Sequence, residues 1–186
     1  KYALLFDRTI DVEAPRLTIG IPRALNMYEE YPFWHALFSH CGIRVVLSSS
    51  STFQRYEASA NRVMSDNICF PAKLVHSHIQ QLQEAGVDRI FMPIVVFEKK
   101  DQGHQNSYNC PIVSGYAEVV KSVQGDVVPV DSPAITLKED KLLLRQCELY
   151  LGQLGISKSA VRAAFKQAVE AQTAYESALQ RTNQTI

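Results

Sequence analysis

The stretch Leu17-Thr18-Ile19-Gly20-Ile21-Pro22, followed by Tyr31-Pro32-Phe33-Trp34 and then by Gly42-Ile43-Arg44-Val45-Val46-Leu47, decides the fold. Leu17, Ile19 and Ile21 alternate around Gly20, the period of a strand, and Pro22 marks the turn that ends it. Within residues 32–41, Trp34, Leu37, Phe38 and Cys41 fall on one helical face, and Gly42 is the stop. The run from Ile43 is nearly all apolar and β-branched, as expected for a strand covered on both faces. Strand, helix, strand in this order predicts a βαβ unit and a parallel sheet.

Working outward, Ser48-Ser49-Ser50-Ser51 reads as a loop and as the cap of a short helix. Pro71 suits the first turn of a helix, where its missing N–H costs nothing. Leu74, Val75, His78, Ile79 and Leu82 then form an apolar face, ended by Gly86. Residues 89–94 read as a buried strand interrupted by Pro93, and residues 98–109 as a polar loop. Cys110-Pro111 opens a helix to about Val120, and residues 127–130 form a fourth short strand. Beyond Asp131 two helices are expected, over residues 138–151 and 158–179. Val161, Phe165, Ala168, Gln172, Tyr175 and Leu179 make a stripe on the second, to be packed on the sheet or on the preceding helix. Residues 1–15 read as an irregular N-terminal extension.

The expected class is therefore α/β: a Rossmann-like parallel sheet of about four strands flanked by helices, with a C-terminal helical pair. The expected division is 1–15 extension, 16–135 α/β domain and 136–186 helices. Because the chain opens at Lys1 and closes just past a helical pattern, a further domain is expected after Ile186.

Composition narrows the function. The chain has 186 residues, 46% of them hydrophobic, enough for a sizeable core. Nineteen basic residues balance nineteen acidic ones, so there is no cationic excess to hold nucleic acid or an anionic membrane. No apolar run reaches the roughly 18 residues of a membrane span, and no secretory leader is visible. The four cysteines are scattered, which points to a reducing cytoplasm and to free or ligating thiols. A glycine-rich phosphate loop, a dinucleotide fingerprint and a hydrolase serine elbow are all missing.

Cys69 and Cys110 share a context. Each stands in a polar stretch at the start of an expected helix, in Asn67-Ile68-Cys69-Phe70-Pro71 and in Tyr108-Asn109-Cys110-Pro111. A helix N-terminus favours a thiolate, and the thiolate is the form that binds iron. Loops leaving the carboxyl ends of parallel strands gather at one edge, so the two can meet there. Their spacing matches no compact ferredoxin or zinc pattern, and two buried structural cysteines is the competing reading. Cys41 and Cys147 fall on apolar faces and read as core. His78 shares the apolar face of its helix, whereas His76 lies on the opposite face, toward a cleft or water. Lys73 and Glu98 flank the cysteine loop and a strand end.

The segments Ile19-Gly20-Ile21-Pro22-Arg23-Ala24-Leu25, Tyr31-Pro32-Phe33-Trp34, Ser65-Asp66-Asn67-Ile68-Cys69-Phe70-Pro71-Ala72-Lys73-Leu74-Val75-His76 and Tyr108-Asn109-Cys110-Pro111 together resemble one family. It is the uncharacterised domain of CoA-substrate-specific enzyme activases, related to the D component of 2-hydroxyglutaryl-CoA dehydratase. The resemblance covers about residues 16–130. It implies an ATPase activator as partner, a CoA thioester as substrate, and a 4Fe–4S iron–sulfur cluster as cofactor in a 2-hydroxyacyl-CoA dehydratase system. By that analogy Cys69 and Cys110 are two cluster ligands, a third lies beyond Ile186, and Lys73, His76, Glu98 and Asn109 stand behind them. Ser77 departs from the glycine expected between the two histidines, and the activator's ATPase motifs are missing. Two other readings stay open: a docking module with structural cysteines, and a zinc or thiol-redox site.

Overall fold

The computed structural model describes residues 2–99, 106–125 and 127–183. Strand β1 (Leu17–Ile21) pairs in parallel with β2 (Ile43–Leu47) on one side and with β3 (Arg89–Phe91) on the other. Strand β5 (Val130–Asp131) extends the sheet beyond β3, giving the order β2-β1-β3-β5, all parallel. Past Pro93 and Pro133 the last two strands resume as β4 (Ile94–Phe97) and β6 (Ala134–Thr136), again parallel to each other. The two prolines interrupt neighbouring strands at matching points, because neither can donate to the ladder. Met92 N to Asp131 O (2.8 Å) and Ile94 N to Pro133 O (3.0 Å) carry the pairing across the break. The α/β class and the parallel four-strand sheet hold. Strand β6 was not expected from the sequence.

The connections wrap both faces. Helix α2 (Tyr31–His40) links β1 to β2; α3 (Phe53–Ser59) and α4 (Phe70–Glu84) link β2 to β3; α5 (Pro111–Gln124) links β4 to β5. On one face, Ile19, Ile21, Phe91 and Val95 of the sheet meet Trp34, Leu37 and Phe38 of α2 and the C-terminal helices α6 (Asp140–Gln153) and α7 (Lys158–Asn183). On the other, Ile90 and Met92 meet Ala72, Val75, Ile79 and Leu82 of α4 and Ala117 and Val120 of α5. Gly20 belongs to that second face. A Cβ there would come within 3.0 Å of Leu82 and Val87, so a glycine lets α4 lie directly on the central strand.

Several local expectations are corrected. Residues of the N-terminal stretch are not all irregular: α1 (Tyr2–Phe6) buries Leu5 and packs on α2 and α7. Thr52, not a serine, caps α3 by accepting from Arg55 N at 3.3 Å. Helix α5 continues past Val120 to Gln124. The α7 stripe lies chiefly against α2, with Phe165 packed edge-on to Phe33 at 5.5 Å. Arg89 forms a two-pronged ion pair with Asp131 (2.5 and 2.7 Å), and Tyr150 donates to the same carboxylate at 2.8 Å, tying β3, β5 and α6 together. No helix among the described residues is long and apolar enough to cross a membrane.

Candidate functional site

Cys69 and Cys110 are exposed, each at the residue just before a helix, with extended backbone (φ −61°, ψ 147° and φ −57°, ψ 140°). Pro111 is the first residue of α5 and Pro71 the second of α4, positions that need no backbone N–H from proline. Both helices start at the carboxyl edge of the parallel sheet, where ligand sites of this architecture form. The neighbours of both cysteines, Ile68 on one side and Pro111 and Ile112 on the other, line one shallow groove of about 280 Å³ together with Tyr116. Burial and, second, the charge of nearby Cys69 push the Tyr116 phenol up. The remaining two cysteines, Cys41 and Cys147, are buried in the aromatic core, as expected.

Each cysteine loop is held in place. Asn109 donates from Nδ2 to Glu98 Oε1 (2.5 Å), and Cys110 N donates to Asn109 Oδ1 (3.1 Å). Glu98 N to Ser107 O and Asn109 N to Val96 O, both 2.8 Å, clip this loop back onto β4. Burial raises the Glu98 carboxyl, and the Asn109 hydrogen bond partly offsets that. On the other loop, Lys73 Nζ donates to Asp66 O at 2.9 Å, so it braces the turn before Cys69.

His76 corrects the sequence reading: it is fully buried, not turned to a cleft or water. Arg62 donates to Gln124 Oε1 (2.8 Å), which turns the Gln124 amide nitrogen toward His76 Nδ1 (3.4 Å). The His76 proton then sits on Nε2 and is donated to the Tyr116 hydroxyl (2.8 Å). This chain of bonds fixes α4 against α5. His78 is also fully buried, with Ser48 and Ser51 hydroxyls 2.9 Å from its two ring nitrogens. Both histidines thus have both nitrogens engaged and neither is free to ligate a metal beside the cysteines. Among the described residues no group of three or more His, Cys, Asp or Glu is arranged to hold a metal ion.

The fold and these side chains define a class: a doubly wound α/β domain that presents two thiols at the carboxyl edge of its sheet. The chain belongs to the family described as the CoA enzyme activase uncharacterised domain, which matches residues 18–186. No curated protein and no solved structure matches it. Sequence reasoning found both exposed cysteines but missed Tyr116 and Gln124. Their signal was faint: a tyrosine and a glutamine on the inner face of a helix, legible only once His76 is known to point there.

Proposed function

We propose that this domain serves a 2-hydroxyacyl-CoA dehydratase system, with Cys69 and Cys110 as two thiolate ligands of a 4Fe–4S-type cluster. In that system an ATP-driven activator is coupled to a dehydratase component that acts on a CoA thioester. When bound, the cluster supplies one-electron chemistry at low potential. The observation that carries the reading is the pair of exposed cysteines at the N-termini of α4 and α5, beside one groove. Two thiolates fit part of such a ligand set, and the partial positive charge of each helix end favours the ionised sulfur. The other ligands come from outside the described residues, on this protein or on its dehydratase partner.

This chain's own residues position those ligands. The Glu98–Asn109 bond and the Lys73 brace hold the two loops, and the His76–Tyr116 bond sets α4 against α5. The docking-module reading expects both thiols buried, and Cys69 and Cys110 are exposed.

The test is iron and sulfide content after anaerobic reconstitution of the chain with its dehydratase component. Iron is expected in the wild type and in Cys41→Ser, and lost in Cys69→Ser and in Cys110→Ser. Iron retained in both of those variants, or none in the wild type, would sink the cluster reading. The domain would then be read as a docking module in which the exposed cysteines serve neither iron nor the core, with the exposed Leu142 and Leu149, seven residues apart on α6, as its surface.

A further inference from the structure

A second hollow opens at the same edge of the sheet, on the opposite face from α4 and α5. It has a volume of about 310 Å³ and lies between the start of α2, the end of β4, the start of α6 and the outer half of α7. Its polar lining is acidic: Glu29 and Glu30 just before α2, Glu98 just after β4, Asp140 from α6 and Glu176 from α7, with Lys99 the one basic residue among the described residues of the lining. Phe33, Leu143, Val169 and Leu179 supply an apolar wall.

Two buried acceptors in this lining lack donors. Glu30 Oε2 and Gln172 Oε1 have no hydrogen-bond partner among the described residues. Gln172 has already used its amide nitrogen on Glu29 O and Glu176 Oε1, both at 3.1 Å, so its oxygen is left facing need. Burial first, then the charges of Glu98, Glu29 and Glu176, raises the Glu30 carboxyl well above its usual range. Buried acceptors without partners cost stability, and a group of carboxylates in one hollow repels itself. A ligand that brings donors and positive charge relieves both.

The chemistry of that ligand can be narrowed. The described acids are not arranged in any group that could hold a metal ion. The phosphates of CoA would be repelled by Glu30, Glu98, Asp140 and Glu176, which share the described lining with Lys99. An alkylammonium group fits: it carries three N–H donors and no acceptor, and its methylenes match the apolar wall. We propose that this cavity binds a primary alkylammonium group, carried by a free aliphatic diamine or by the lysine side chain of a partner. The site shares Glu98 with the loop that holds Cys110, but amine binding needs no cluster.

The test is titration calorimetry on the iron-free chain with 1,5-diaminopentane, with N-acetyl-lysine methylamide, and with 1-pentanol as the neutral control. At least one amine is expected to bind, with 1-pentanol weaker by about tenfold or more. Binding of the diamine alone identifies a free amine as the source, and binding of the lysine derivative alone identifies a side chain. Glu30→Gln, nearly the same shape, is expected to weaken the amine about tenfold, and Glu176→Gln to weaken it less. Thermal melts of both variants check that they fold. No binding of either amine, equal binding of 1-pentanol, or an unchanged affinity in both variants overturns the proposal. So does Mg²⁺ alone occupying the site with the same dependence on Glu30.

Discussion

The two faces of the sheet are packed by different means. Against α2, α6 and α7 the core is aromatic: Trp34, Phe38 and Phe91 meet at centroid distances of 4.7, 5.0 and 6.0 Å, and Tyr150 joins Phe91 at 5.3 Å. Against α4 and α5 the apolar residues are mostly small or aliphatic, with Tyr116 as the one buried aromatic of that cluster, and the buried histidines His76 and His78 sit among them. Aromatic burial contributes stability over a large area, and stacked, tilted and edge-on ring pairs all occur here, none of which carries a polar atom that a small shift would leave unpaired. Hydrogen bonds to both nitrogens of a buried ring demand one exact placement, because a shift leaves a polar atom unpaired. The first face holds the domain together, and the second places the helices whose N-termini carry Cys69 and Cys110.

The largest expected effect tests the aromatic face. Trp34→Ala or Phe38→Ala removes a fully buried ring and is expected to cost about 3–5 kcal/mol. Urea unfolding followed by circular dichroism measures it. A loss under about 1 kcal/mol would show that α2 and α7 do not rely on these rings, and the contrast between faces would fail.

The second effect tests the polar face through pH. His78 is held down to about 4 by burial first, then by Arg23 and Arg55. Its folded value lies below its unfolded one of about 6.5, so the unfolded chain binds the extra proton. The contribution of neutral His78 is therefore complete above about pH 6.5 and is lost progressively as pH falls toward 4, by roughly 3 kcal/mol. His35, on the aromatic side, is also lowered to about 4, chiefly by burial, and adds to the same slope; His76 is shifted in the same direction. Denaturant midpoints between pH 7 and 4 read the slope, and His78→Gln should flatten it. An unchanged slope in that variant would mean that Ser48 and Ser51 do not hold a neutral ring.

Much of this architecture was legible from residue order. Gly20 between Ile19 and Ile21, and the β-branched run Ile43-Arg44-Val45-Val46-Leu47, are local signals that the fold obeys. Strand β6 was hidden because Pro133 breaks the pattern and only three residues follow it in the strand. Helix α1 was hidden because five residues form a helix only when α2 and α7 receive Leu5. At the site, proline beside each cysteine announced a helix start, so the exposed pair was readable. His76 was misplaced because periodicity shows which way a side chain points on its own helix. It does not show that α5 lies across that side with Tyr116 as partner. The acidic hollow was invisible for the same reason, since its lining comes from four separate elements.

The smallest energetic effect separates the four cysteines most sharply. Burial pushes the Cys41 thiol up to about 11 and the Cys147 thiol up to about 12, so at neutral pH neither offers a thiolate or access. Cys69 and Cys110 stand exposed at helix N-termini. Iodoacetamide on the native chain, read by mass spectrometry, should label these two and leave the buried pair until the protein is unfolded. Cys69→Ser and Cys110→Ser should each change unfolding stability by no more than about 0.5 kcal/mol, because neither side chain packs in a core or makes a capping bond. That near-zero cost is what gives the iron measurement its meaning: a ligand lost without loss of fold is a ligand lost for its sulfur alone. Labelling of Cys41 or Cys147 at the same rate as the exposed pair would show that the aromatic face opens readily, and the division between a holding face and a placing face would dissolve.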